Sequence, residues 1–240
     1  SDDPREGYVV VDAITSATVT AVAENATILE AAREVGRRVG IISAADVRTR
    51  RPSDAFEPLR GDELLGLGGI GEMTVAQSEV GGKGSEPALE LYFGLIDAPS
   101  VGRNLLGDRY YPSVRERMSE QGVSAIFVGS VGEVSFKGAG FARGGIFDRF
   151  AIEQNGRLHV FKDVDYISVP DVAAAEAPAL DEGGIFLFSN REFDPAAPFT
   201  IQLTLPYRVG DTRTYGSFGR NYELPRRFVE EERPFWVERW

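Results

Sequence analysis

The 240-residue chain has no cysteine. It therefore carries no disulfide, no thiolate zinc site and no cysteine-ligated iron–sulfur cluster of its own. Its only histidine is His159. One histidine excludes a metal site built from several of them, and a Ser-His-Asp triad would have to use His159. No run of about 18 apolar residues occurs, so no segment reads as a membrane span. No leader pattern opens the chain; Ser1-Asp2-Asp3-Pro4 is an acidic, polar start that reads as a cut end. Basic residues are outnumbered: 26 Lys and Arg face 37 Asp and Glu, a net charge of −11. That balance argues against bulk contact with nucleic acid, whose phosphates need a basic surface, and favours cationic partners.

What is present is a substantial apolar inventory. Hydrophobic residues make up 42% of the chain and aromatic ones 10%, enough for one large β-rich domain or two smaller ones. Tyr8-Val9-Val10-Val11 reads as a short strand running into Asp12. From Thr18 to about Val39 there is no proline, and Val22, Ala26, Leu29 and Gly36 recur at helical spacing. Glu34 precedes Arg38 by one turn, and Gly40 can close the helix. Thr15 and Ser16 are N-cap candidates. Thr18 then lies by a helix N-terminus, where unpaired N–H groups and a partial positive charge favour phosphate.

Gly66-Leu67-Gly68-Gly69-Ile70-Gly71 matches the dinucleotide fingerprint by letter. Its context argues against a nucleotide site. Arg60-Gly61-Asp62-Glu63 reads as a polar turn where a strand should stand, and the alternation around Met73, Val75 and Gln77 reads as a strand where a helix should follow. A loop of close backbone approach is the expectation. Arg48 to Asp54 is a charged, proline-containing break that reads as a linker.

Beyond about residue 72 the pattern is mostly β. Leu89, Leu91, Phe93 and Leu95 alternate with Glu90, Tyr92 and Gly94, the mark of a half-buried strand. A helix is expected over roughly Tyr111–Gln121, with Pro112 in its first turn and Gly122 ending it. Ala125–Val128 reads as a buried strand that Gly129–Gly132 turn toward a further strand at Val134–Phe136. Asn155-Gly156 specifies a hairpin pairing Gln154 with Arg157, Ile152 with His159 and Phe150 with Phe161. His159 thus falls in a row with Ile152 and aromatic neighbours, a structural or partly exposed place rather than a catalytic one. Gly184–Phe188, Phe199–Leu205 (ended by Pro206) and Tyr215–Phe218 complete the strands. Arg143 and Asp148, around Gly144-Gly145, are candidates for a functional turn or for a salt-bridged loop. No two carboxylates pair as a hydrolase would need, and no catalytic or metal-binding set emerges.

The stretch Asp12-Ala13-Ile14-Thr15-Ser16-Ala17-Thr18-Val19-Thr20 resembles the acceptor motif Asp-x-x-(Ser/Thr)-Gly-Ala-Thr-x-(Ser/Thr), onto which a flavin transferase esterifies FMN through its phosphate. Four further stretches extend the likeness: Pro99 to Gly107, Val134 to Phe150, Phe193 to Phe199, and Tyr222-Glu223-Leu224-Pro225. With them the chain resembles the periplasmic part of the NosR/NirI family, membrane flavoproteins required for expression and activity of nitrous oxide reductase. The resemblance implies FMN on Thr18, with Asp12, Thr15, Ser16 and Ala17 forming the rest of the cofactor-binding motif. It implies a periplasmic location, as part of an inner-membrane protein whose remaining helices and ferredoxin-like part continue the electron path. The implied partners are the flavin transferase, nitrous oxide reductase or its maturation proteins, and the membrane-embedded remainder. Two departures stand out. Ser16 replaces the usual Gly, and only eleven residues precede Asp12 where the family has more.

The expected fold is α+β, a flavin-linked helical region followed by a mostly antiparallel β domain. Its expected parts are residues 1–47 (the end of an FMN-binding domain), 48–71 (linker), 72–225 (β-rich domain) and 226–240 (membrane-proximal tail). The tail mixes charge with Phe235, Trp236 and Trp240; such residues suit either packing on the domain or a lipid boundary. The expected role is a covalent-FMN electron-transfer and regulatory module. The alternative is a docking or sensing domain without redox chemistry of its own.

Overall fold

The computed structural model describes residues 50–169, 171–189, 192–209 and 211–231. The strand at 8–11, the acceptor-like stretch, the helix expected over 18–39 and the end of the tail lie outside these residues.

Three layers pack on one another. A five-stranded antiparallel sheet contains β2 (Gly71–Ala76), β3 (Pro87–Leu95), β4 (Val123–Val131), β7 (Tyr166–Ser168) and β8 (Glu182–Ser189), in the order β2-β3-β4-β8-β7. A four-stranded antiparallel sheet contains β5 (Ile146–Gln154), β6 (Arg157–Lys162), β9 (Phe199–Val209) and β10 (Thr212–Tyr222), in the order β10-β9-β5-β6. A two-stranded ribbon joins β1 (Arg50–Pro52) to β11 (Val229–Glu231). The helices are α1 (Gly61–Gly66), α2 (Pro99–Gln121) and α3 (Gly138–Gly144). The architecture is the expected α+β.

Strand alternation decides which residue meets which layer. Leu89, Leu91, Phe93 and Leu95 share one face of β3, as their spacing predicts, and all are fully buried. That face meets the second sheet: the rings of Phe93 and Tyr222 lie 5.8 Å apart, edge to face. Phe186 of β8 stands at the centre of the interface. Its ring is within 4.7–6.1 Å of the rings of Phe136, Phe147, Phe150, Phe161 and Tyr166. Each buried ring contributes on the order of 1.5–3 kcal/mol through removal of apolar surface from water. The other face of the first sheet carries α2. Gly94 permits that approach, since a Cβ there would stand 3.0 Å from Val101 and 3.4 Å from Leu105. β3 is therefore covered on both faces toward its C-terminal end, not half-buried throughout.

The Asn-Gly hairpin forms as expected. Asn155 and Gly156 both have positive φ (52° and 69°), the requirement of a type I′ turn. Gln154 pairs with Arg157 and Ile152 with His159. Phe150 and Phe161 do not form a ladder pair, because the register shifts between Ile146 and Ala151, yet their rings stack 5.6 Å apart.

Several expectations need correction. Residues 60–63 are not a polar turn: Gly61–Gly66 form α1, whose start is closed by the Glu63 carboxylate accepting from the Arg60 N–H at 2.8 Å. Within the stretch expected as a linker, β1 and α1 are regular elements. The helix expected from Tyr111 begins at Pro99, an N-terminal proline, and breaks at Gly107 (φ 66°). Gly122 does end it, in the left-handed conformation. Gly129–Val131 continue β4, and the chain turns at Gly132. Val134–Phe136 form no strand; Phe136 turns inward and is buried among aromatic rings. Pro206 does not end β9. The strand outruns β5 beyond Leu203, so at Pro206 it has a neighbour on one side only, where a missing N–H is tolerated.

Candidate functional site

A cleft of about 600 Å³ lies along α2, closed at one end by Asp97 of the connection from β3. Asp97 sits at its inner end, only 8% exposed. Its carboxyl group accepts from the Ser124 hydroxyl at 2.8 Å and from the Ala125 N–H at 3.0 Å, pinning the connection to the start of β4. Burial raises its pKa to about 6, against the opposing pull of the Ala125 N–H, the Ser124 hydroxyl and the Arg115 charge. Asp97 therefore changes charge near neutrality.

The second half of α2 supplies the wall. Tyr111 packs over Gly102, where an added Cβ would stand 2.8 Å from the tyrosine ring and 2.5 Å from the Ile96 carbonyl oxygen. The Tyr111 hydroxyl is buried and has no hydrogen-bond partner. Burial raises its pKa. One turn further, Arg115 donates to the Asp97 carbonyl at 3.3 Å and to the Asp54 carboxylate at 3.1 Å. On the rim, Arg103 pairs with Asp108 at 2.7 Å and lies 4.4 Å over the Phe56 ring. The wall thus offers a proton-exchanging carboxyl, an unmatched hydroxyl and two partnered arginines. Among the described residues no group of three or more His, Asp or Glu is arranged to hold a metal.

Two other places tested by the sequence are now located. His159 shares a smaller cavity of about 350 Å³ with Phe161, Phe188, Ser189 and Glu192. Its Nε2 is buried without a partner, and its ring lies 6.1 Å from those of Phe188 and Phe193. Burial, then the Arg157 charge, lowers its pKa. The register opposite Ile152 is as expected, while these two rings come from β8 and the segment after it rather than from the hairpin. Arg143 and Asp148 do not converge on a turn site. Arg143 donates to the Ala139 carbonyl of its own helix at 3.3 Å, and Asp148 accepts the Gly140 N–H at 2.9 Å, capping α3. The glycine-rich stretch 66–71 leads from α1 into strand β2, the reverse of a dinucleotide site, and Gly69 packs against Phe228, Leu64 and Val101.

Asp12, Thr15, Ser16, Ala17 and Thr18 lie outside the described residues. Asp97, Tyr111 and Arg115 were not singled out from sequence. The one usable signal for Asp97 was its place: an acid between a buried strand and an N-terminal proline, where the chain must pass inward.

Fold and cleft together define an α+β domain in which a helix-backed sheet faces a second sheet, with a cleft between Asp97 and the second half of that helix. No family model matches the chain, and no solved structure matches it significantly. Comparison with curated proteins is informative. The chain is 32% identical over 268 residues to "Regulatory protein NosR" of Stutzerimonas stutzeri, covering 97% of this chain and 37% of that protein. It is 34% identical over 258 residues to "Regulatory protein NosR" of Pseudomonas aeruginosa, covering 98% and 35%. It is 29% identical over 259 residues to "Protein NirI" of Paracoccus denitrificans, covering 100% and 37%. The chain belongs to the NosR/NirI family, and it spans a little over a third of the length of these relatives.

Proposed function

We propose that the chain is the flavin-carrying, regulatory part of a denitrification protein, with FMN joined to Thr18 as a phosphoester. The observation that carries this reading is the acceptor-like stretch Asp12–Thr20 in a chain whose full-length likeness is to proteins named as regulatory NosR. The donor set suits the group. The Thr18 hydroxyl would hold the group: a flavin transferase would join its oxygen to the flavin-side phosphorus of a flavin adenine dinucleotide as the pyrophosphate P–O bond breaks, with AMP leaving, the hydroxyl proton passing to solvent and one negative charge staying on the phosphodiester. Asp12, Thr15, Ser16 and Ala17 belong to the motif that a flavin transferase recognises. Bound FMN supplies one- and two-electron transfer. The proposed setting is the periplasmic side of an inner membrane, with nitrous oxide reductase or its maturation proteins as partners and a membrane-embedded remainder receiving or delivering electrons.

Intact mass after co-expression with a periplasmic flavin transferase tests the attachment. One FMN-phosphoryl adduct is expected on the chain and none on Thr18→Val. An unmodified mass in a preparation that includes complete upstream sequence overturns it.

A second reading is favoured by the domain itself. Residues 50–231 build a closed aromatic core and a charged cleft that flavin attachment does not require. In that reading the β domain docks or senses a partner. Cross-linking to nitrous oxide reductase supports it; unchanged assembly after deletion of residues 72–240 argues against it.

A further inference from the structure

The outer face of the second sheet gathers positive charge in a chain of net charge −11. Side chains alternate across a strand. Leu203, Leu205 and Phe218 are buried in the core, so Arg208 on β9 and Arg213 on β10 share the opposite face, where both are exposed. These two arginines are direct ladder partners. Like charges set opposite one another on a sheet are destabilising. Arg149 of β5 joins them on that face, since Phe150 beside it is buried opposite Leu203. Arg213 lies 5.5 Å over the half-buried ring of Tyr215. Among the described residues none of the three arginines forms an ion pair; Asp211, in the turn between β9 and β10, is exposed and joins none of them.

Arg149 is held in place by the loop before α3. Its guanidinium donates to the Ser135 carbonyl at 2.6 Å. Its stem lies along Gly138 (φ 79°), where a Cβ would stand 2.9 Å from it. Burial lowers its pKa and the Arg213 charge acts in the same direction, against Asp148. A guanidinium stays charged all the same. The ladders also give the span of the group. Arg149 is level with Thr204 and Ser217, four residues along the strands from the Arg208–Arg213 pair, which is about 13 Å at strand spacing. The fold thus keeps three uncompensated positive charges on one open face, two of them at a cost.

We propose that this face docks an acidic segment of a partner protein, whose carboxylates pair with Arg149, Arg208 and Arg213 while Tyr215 adds a hydroxyl donor between them. Three arginines spread over an open sheet do not converge on one small ion. Carboxylates at alternate residues of an extended chain recur about every 7 Å and match the span. The planar guanidinium fork suits them in particular. A long nucleic acid would meet the net negative charge of the rest of the chain, whereas a short acidic segment meets only this face. The proposal rests on the second reading above, in which the β domain docks a partner, and gives that partner its chemistry.

Fluorescence anisotropy of a dye-labelled octaglutamate peptide, titrated with the whole chain, is the test. Arg208→Gln or Arg213→Gln alone should weaken binding about two- to fivefold, and the two together about tenfold. Binding should also weaken as sodium chloride rises from about 20 to about 200 mM. Both side chains are exposed, so far-UV circular dichroism should show the fold retained. Arg149→Lys, which keeps the charge, should bind more tightly than Arg149→Gln. No binding at about 1 mM protein and low salt, or binding indifferent to the double variant, overturns the proposal. Octathymidylate binding more tightly than octaglutamate also overturns it, in favour of a nucleic acid. Absent peptide binding with intact cross-linking to nitrous oxide reductase removes this face and leaves the docking reading. Binding that follows the arginines, with assembly unchanged after deletion of residues 72–240, supports the face and removes that reading.

Discussion

Asp97→Asn should make the domain more stable at neutral pH and flatten part of its pH dependence. Asp97 has both carboxyl oxygens engaged, by Ser124 and Ala125, and is only 8% exposed. Its folded-state pKa of about 6 lies above the ordinary 3.8. An acid raised on folding favours the protonated folded form. Its stabilising contribution is complete below the unfolded pKa and is lost as pH rises through the folded one. Between pH 4.5 and 7.5 this single group should withdraw about 2 kcal/mol from the unfolding free energy. Asparagine keeps the shape and the acceptor for the Ala125 N–H, and the Ser124 hydroxyl can rotate to accept from the amide. Urea unfolding of both proteins at the two pH values isolates the effect, because the other titrating groups cancel in the difference. The variant should gain on the parent by about 2 kcal/mol over that range. A gap that does not change with pH would refute the assignment of Asp97 as a buried carboxyl titrating near neutrality.

Further outcomes follow from the core and the hairpin. His159, the only histidine, should give one imidazole titration by NMR with a midpoint below 6.5, and its contribution to stability, present above that value, should be lost on acidification through the lower folded midpoint. Phe186→Ala should cost about 3–5 kcal/mol in unfolding measurements, since it empties the place where five rings meet. Gly102→Ala should cost about 1–3 kcal/mol by overpacking, because the added methyl meets the Ile96 carbonyl and the Tyr111 ring, and a far-UV spectrum unchanged in shape would show the fold retained.

Where a residue's neighbours are local, the sequence was legible. The Asn155-Gly156 hairpin and the β3 alternation follow from turn chemistry and a period of two, so they could be read directly. Errors arose where a distant segment decided the outcome. Pro206 looked like a strand end because it lacks the ladder donor, and nothing local shows that β5 stops short of it at Leu203. Gly61–Gly66 looked like a turn because its helix is a single short element closed by Glu63 and lodged against Ala175 and Ala177. Val134–Phe136 has strand composition, but Phe136 is claimed by the aromatic interface. The cleft was the least legible part. Asp97, Tyr111 and Arg115 come together only when α2 folds back over the first sheet, and no spacing rule links positions 97 and 111. The acceptor-like motif has the opposite character: it is entirely local, so sequence alone could propose it.

The break in α2 at Gly107 also says something about the loop from Val169 to Leu180. Ala173 donates its N–H to the Leu105 carbonyl at 2.8 Å, taking up an acceptor near the break, and its methyl would stand 2.8 Å from any Cβ placed on Gly107. Two residues on, the Ala175 carbonyl accepts from Gly61 at 2.7 Å, and Ala177 crowds the same glycine. The run of alanines is thus a seam rather than a spacer, made of the smallest side chains that still limit backbone freedom, stitched between two helices that never touch it in sequence. Glu176 lies within it in a left-handed conformation (φ 59°), a conformation glycine would adopt more cheaply. A bulkier or lengthened version of this seam would pry α1 from α2, and insertions that surface loops normally absorb would here be felt in the middle of the domain.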